Sequence, residues 1–90
     1  MFSIFLGSDA RAFLKELEAK RSRQVFEKLL TLQDDPHPQS SKALVAHKGY
    51  FRLRAGDYRV IYQVEDKVIR VKLIDSRGDD EVYNRLERIL

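Results

Sequence analysis

The sequence predicts an α+β fold: an N-terminal strand and a two-helix hairpin packed on a mostly antiparallel, four-stranded curved sheet, followed by a C-terminal helix. Three observations carry that expectation. Apolar residues recur at helical spacing up to about residue 30, the period becomes two from Lys42 onward, and helical spacing returns after Gly78. Ninety residues suffice for one two-layer core and are too few for a second, so residues 1–90 are read as a single domain with one site. Hydrophobic residues at 43% and charged residues at 34% fit an ordinary folded protein and argue against disorder.

The first apolar run, residues 2–6, has no basic stretch before it and is too short to span a membrane, so it reads as a strand rather than a signal peptide. Ser8 or Asp9 is expected to cap a first helix carrying Phe13, Leu14 and Leu17. A break at residues 20–23, with Ser22 as cap, is expected before a second helix striped by Val25, Phe26, Leu29 and Leu30. "DDPHP" ends that helix, because proline cannot continue a helix and disfavours it in the preceding residue. A short strand over residues 43–46 and a turn at His47, Lys48 and Gly49 then lead into strands at 50–55, 58–65 and 68–75. Their short connections make them antiparallel neighbours. Asp79 and Asp80 open the last helix, where acidic residues complement the N-terminal dipole, and Val82, Leu86, Ile89 and Leu90 form its stripe.

Charge is unevenly spread. Between Lys48 and Arg77 lie eight Lys/Arg against four Asp/Glu, an excess larger than the +3 of the whole chain. Such a basic region attracts anionic partners at long range. Strand parity places Phe51, Leu53, Tyr58, Val60, Tyr62, Val64, Ile69, Val71 and Leu73 inward under the helix hairpin. Tyr50, Arg52, Arg54, Arg59, Arg70 and Lys72 are then expected on the open face, since an arginine buried without a partner costs several kcal/mol. Clustered guanidiniums suit phosphates, because the planar fork donates two parallel hydrogen bonds, and neighbouring tyrosines offer stacking surfaces for bases. RNA or another phosphate ligand is the expectation; an acidic protein segment would also suit such a face.

From Lys42 to Leu90 the chain resembles the RelE branch of the RelE/ParE toxins of type II toxin–antitoxin pairs, most densely in "RLRAGDYRVIYQV", in the Arg77-to-Tyr83 spacing and in the terminal "RLERIL". The N-terminal half matches in pattern more than in residues. The resemblance implies a cytoplasmic, ribosome-dependent and cofactor-free, metal-free ribonuclease. It would cut messenger RNA in the ribosomal A site by attack of a ribose 2′-OH on the adjacent phosphate. Its implied partners are the ribosome and mRNA, and a cognate acidic, RelB-like antitoxin through which alone it would reach operator DNA; a membrane is not among them. By the same resemblance Arg52 occupies a catalytic lysine position, Arg59 contacts the scissile phosphate, Arg77 acts as general acid or charge stabiliser, and Tyr83 is the active-site tyrosine. Lys48, Tyr50 and Arg54 are the implied RNA contacts. Tyr50 stands where RelE-type members can carry a second lysine. A guanidinium is a poor base because it stays protonated, so Arg52 is assigned to charge stabilisation and Tyr83 or Tyr50 is the candidate general base. The alternatives are a ParE-like toxin acting on DNA gyrase, or a weakly active relative that mainly binds its antitoxin as co-repressor; the ParE branch lacks the combination of Arg59, Arg77 and Tyr83.

Other residues read more plainly. His37, between prolines, and His47, in a turn, fit solvated loops better than a two-histidine ribonuclease. The acidic groups at 34–35, 65–66 and 79–81 lie at turns and helix starts, where capping and solubility explain them. Arg85 and Arg88 are expected to pair with acidic neighbours on the last helix.

Overall fold

A computed structural model describes residues 1–76 and 78–90. Five strands, β1 (Ser3–Leu6), β2 (Ser41–Ala43), β3 (Tyr50–Ala55), β4 (Tyr58–Glu65) and β5 (Val68–Asp75), form one sheet in the order β1-β5-β4-β3-β2. Helices α1 (Ser8–Glu16) and α2 (Ala19–Leu30) follow β1, a short 3₁₀ turn (Thr31–Gln33) follows α2, and α3 (Asp79–Ile89) ends the fold. The N-terminal strand is therefore a fifth member of the sheet rather than a separate layer, and it lies parallel to β5. A parallel neighbour needs a long connection, which the strands and helices between β1 and β5 supply. The other pairings are antiparallel.

β3, β4 and β5 fall where the two-residue period places them. The β3–β4 connection is the two-residue loop Gly56-Asp57, closed by the pairing of Ala55 with Tyr58. Gly56 has φ +64°, the left-handed value that a tight hairpin loop demands and that glycine adopts without steric cost. β2 is shifted from residues 43–46 to Ser41–Ala43, and Leu44 then donates its N–H to the Tyr50 carbonyl as the chain turns.

Both expected caps are corrected. Gly7, not Ser8 or Asp9, is the N-cap of α1, and Asp9 sits in the first turn, where its charge complements the helix dipole. The helix break falls at Leu17, which is extended, and Glu18, which is also non-helical, rather than at residues 20–23. Ser22 lies inside α2 and donates its N–H to the Glu18 carbonyl. Lys, Arg and Ser carry no steric bar to a helix, and continuing through them extends the helix whose Val25 and Leu29 are buried.

Two apolar cores lie on opposite faces of the sheet. The larger joins Ala10, Val25, Leu29 and Leu32 to Leu53, Val60, Tyr62, Ile69, Val71 and Ile74. The smaller joins Val82 and Leu86 of α3 to Leu44, Ile61 and Leu73, with Tyr50, Tyr83 and Ile89 packed against them. Leu73 was expected beside Val71 and is not there. Ile61 pairs with Leu73 while its neighbour Tyr62 pairs with Val71, so Lys72 is an extra residue in β5. That bulge reverses the alternation, sending Leu73 to the α3 face and Ile74 to the larger core. The face expected to be open is thus covered in part by α3.

Candidate functional site

Arg52 and Arg59 lie on the face of the sheet that α3 covers. Arg59 pairs across the ladder with Arg54 on one side and with Asp75 on the other, and Arg52 pairs with Ile61. Directly opposed like charges repel. Here the pair is relieved differently on its two sides: Arg54 is exposed, whereas Arg59 turns to a carboxylate.

That carboxylate is Asp79, the first residue of α3. Arg59 Nε donates to Asp79 Oδ1 at 2.9 Å, and Arg52 Nε lies 3.6 Å from Oδ2. Arg52 also donates through Nη1 to the Ser40 carbonyl at 3.3 Å, and Arg59 through Nη1 to the Tyr58 carbonyl at 3.4 Å. Arg52 is only 6% exposed, which corrects the expectation that it stands free on an open face. The physical reason is compensation: the desolvation that makes a lone buried arginine costly is offset by a facing carboxylate and a backbone acceptor. Arg52 Nε, at a distance outside hydrogen-bond range from Asp79, is buried without a hydrogen-bond partner among the described residues.

Tyr83 lies one helical turn beyond Asp79 on α3, a spacing that puts the two on one face. Its ring packs against the smaller core, and its phenol oxygen is buried without a hydrogen-bond partner among the described residues. Together with residues 42–47 it lines a recess of about 200 Å³. Tyr50 is half-buried in the same small core, and Lys48 is exposed in the turn before β3. Arg77 lies outside the described residues. Tyr83 is thus near the helix end that holds the guanidiniums, but in its own recess.

Three features went unread in the sequence. Asp79, expected to serve capping and solubility, instead joins two strands to α3; an acid at the first helical position after a basic sheet is the available signal. Arg85, expected to pair within its helix, bonds Asp75 of β5 at 3.0 Å, and Asp75 is buried. A cleft of about 740 Å³ between α2 and the β3–β4 hairpin is lined by Lys20, Arg21 and Lys28 with Arg54 and Tyr58. It was foreshadowed by the basic residues on the polar side of α2. Among the described residues no helix is long and apolar enough to cross a membrane, and no three His, Cys, Asp or Glu side chains are grouped to hold a metal ion.

Residues 5–81 match the family model described as the ParE toxin of the type II toxin–antitoxin system parDE. The chain belongs to the RelE/ParE toxins. A RelE-like toxin protein of Escherichia coli is 30% identical over 86 residues, covering 92% of this toxin and 90% of the relative. Among solved structures, a chain of the archaeal RelE–RelB complex from Pyrococcus horikoshii superposes with a TM-score of 0.74 at 28% identity, over 86% of this toxin and 96% of that chain. The isolated E. coli RelE toxin gives 0.72 at 25% identity over the full length of both. This toxin is therefore a RelE-like member of a type II toxin–antitoxin system, and its neighbours include complexes with RelB antitoxins.

Proposed function

We propose that the toxin is a ribosome-dependent, metal-independent endoribonuclease that cuts messenger RNA in the A site. The observation that carries this reading is the convergence of Arg52 and Arg59, from neighbouring strands, on the two oxygens of one carboxylate. Two guanidiniums so arranged also suit the non-bridging oxygens of a phosphodiester. In the reaction a ribose 2′-OH gives its proton to a phenol-derived base, Tyr83 or Tyr50, and attacks the adjacent phosphorus. The P–O5′ bond breaks, leaving a 2′,3′-cyclic phosphate, and the departing 5′-oxygen takes a proton to become a 5′-OH. Arg52 and Arg59 stabilise the charge that builds on the phosphate, where one well-placed donor is worth about 10²–10³ in rate. Arg77 is assigned, by family resemblance, to the leaving oxygen.

The partner that silences it is an acidic antitoxin segment. Phe26 and Leu30, one turn apart on α2, remain 43% and 40% exposed, and with the basic cleft beside the β3–β4 hairpin they suit an amphipathic acidic chain. A second reading, action on DNA gyrase, is favoured by the match to a ParE model.

The test is to map cut sites on translated messenger in a purified translation system, alongside a gyrase supercoiling assay. Cleavage leaving a cyclic phosphate, reduced about 100-fold or more in Arg59→Ala, is expected. Intact messenger together with blocked supercoiling would establish the second reading instead.

A further inference from the structure

The ion pairs at the head of α3 are lopsided. The Arg52 side chain keeps only 8% of its surface accessible, whereas that of Asp79 keeps 30%. The cations are therefore held in the fold, and the anion is the part with a route to water. The fit is also incomplete. Asp79 satisfies Arg59 Nε at 2.9 Å but leaves Arg52 Nε at 3.6 Å, a buried donor with no hydrogen bond among the described residues. Unmade bonds from buried donors are costly, so an anion that reached both Nε groups would be preferred over the carboxylate. A tetrahedral phosphodiester spreads its non-bridging oxygens farther apart than a planar carboxylate does, and it can reach both.

Resting on the reading of Arg52 and Arg59 as phosphate ligands, we propose that Asp79 is an internal competitor for the phosphodiester of RNA. In the free toxin it keeps the two guanidiniums positioned and their charge compensated; entry of the phosphate displaces it toward solvent. The backbone favours the exchange on both sides. Asp79 is preceded by Gly78 in an extended conformation, and the positive end of the α3 dipole, which stabilises the carboxylate in the first turn, stabilises an incoming phosphate in the same way. Asp79 is thus a positioning residue, and it sets how strongly an anion must bind to open the site. Weak, singly contacting anions are excluded, while a strand held by several phosphates at once is admitted.

The competition is read in binding, without cleavage. A fluorescent single-stranded RNA oligonucleotide is titrated against the free toxin at low salt, with inorganic phosphate as a second probe monitored by thermal stabilisation. Asp79→Asn, which keeps the side-chain shape and removes its charge, is expected to bind RNA about tenfold more tightly. Asp80→Asn makes the same change in net charge one residue away and is expected to gain about twofold or less. The tenfold gain should shrink as salt rises and vanish when Arg59→Ala is combined with Asp79→Asn. Asp79→Glu, which retains the charge, should keep binding near that of the parent. Because Asp79→Asn removes the counter-ion of a buried arginine, Asp79→Ser, a residue suited to helix starts, serves where the first variant folds poorly. Equal affinities for the Asp79 and Asp80 variants, or a gain that survives loss of Arg59, would overturn the proposal. Tighter binding by Asp79→Asn with no cutting of ribosome-bound messenger would leave it standing and refute the nuclease instead.

Discussion

Replacing Tyr62 by phenylalanine isolates one hydrogen bond that connects the core to the candidate site. Tyr62 is fully buried, and its hydroxyl donates to the Pro36 carbonyl at 2.6 Å. That bond holds down the loop whose Ser40 carbonyl accepts from both the Arg52 guanidinium and the Arg54 N–H. Phenylalanine keeps the ring and its contact with Phe51, so the change removes little but the oxygen. A neutral intramolecular hydrogen bond contributes about 1 kcal/mol net, rising toward about 3 kcal/mol if the remaining partner is stranded. Pro36 is only half-buried, so the lower figure is the one applied. For 90 residues the unfolding entropy is about 0.19 kcal/mol/K, so about 1 kcal/mol lowers the melting temperature by about 5 °C.

The same substitution carries a pH signature. Burial raises the Tyr62 phenol above its usual value of 10.0, with the Ser41 hydrogen bond pulling the other way. Above pH 10 the unfolded chain ionises this group while the folded chain keeps its proton. The native state then binds more protons, and stability falls as pH rises, by at most about 1.4 kcal/mol per pH unit, until the folded phenol itself ionises. The contribution is fully present below pH 10 and is lost above it. Thermal melts of parent and Tyr62→Phe between pH 7 and pH 11 should therefore show a gap of about 5 °C that narrows above pH 10, because the variant lacks this titration. All other side chains are common to the two proteins, so the difference between them isolates this one group. No gap at neutral pH, or one that stays constant to pH 11, would refute the assignment.

Two further substitutions separate stability from chemistry. Tyr83→Phe removes a buried phenol oxygen that makes no hydrogen bond among the described residues, so the melting temperature should hold or rise slightly. A fall of about 100-fold in messenger cleavage by that variant would mark the phenol as chemically engaged, and unchanged cleavage would pass the base role to Tyr50. Leu29→Ala truncates a fully buried residue of α2 and should cost about 2–5 kcal/mol, read as loss of a cooperative melt or a fall of more than about 10 °C.

The sheet was legible in the sequence wherever a local rule decided it. Alternation fixed β3, β4 and β5, and the Gly56-Asp57 turn fixed where the first two meet. What escaped were outcomes set by competition between distant parts. Period-two reasoning assumes an unbroken pleat, and the bulge at Lys72 ends that assumption within β5, so Leu73 leaves the helix-hairpin core for the other face. Parity likewise told on which face Arg52 and Arg59 lie without telling what covers that face.

The missing element was nonetheless constrained. Val82, Leu86 and Ile89 form an apolar stripe that has to be buried, and the helix hairpin already occupied one side of the sheet. The remaining side was the one bearing the arginines. Once α3 is docked there, its first residue comes to the guanidiniums, and an acidic residue at that position becomes their counter-ion rather than a cap. The several kcal/mol that weigh against a buried arginine apply to an unpaired one. Arg52 is buried because the helix that excludes water from it also delivers a carboxylate, and that coupling makes the head of α3 the place where occlusion of the site and its charge balance change together.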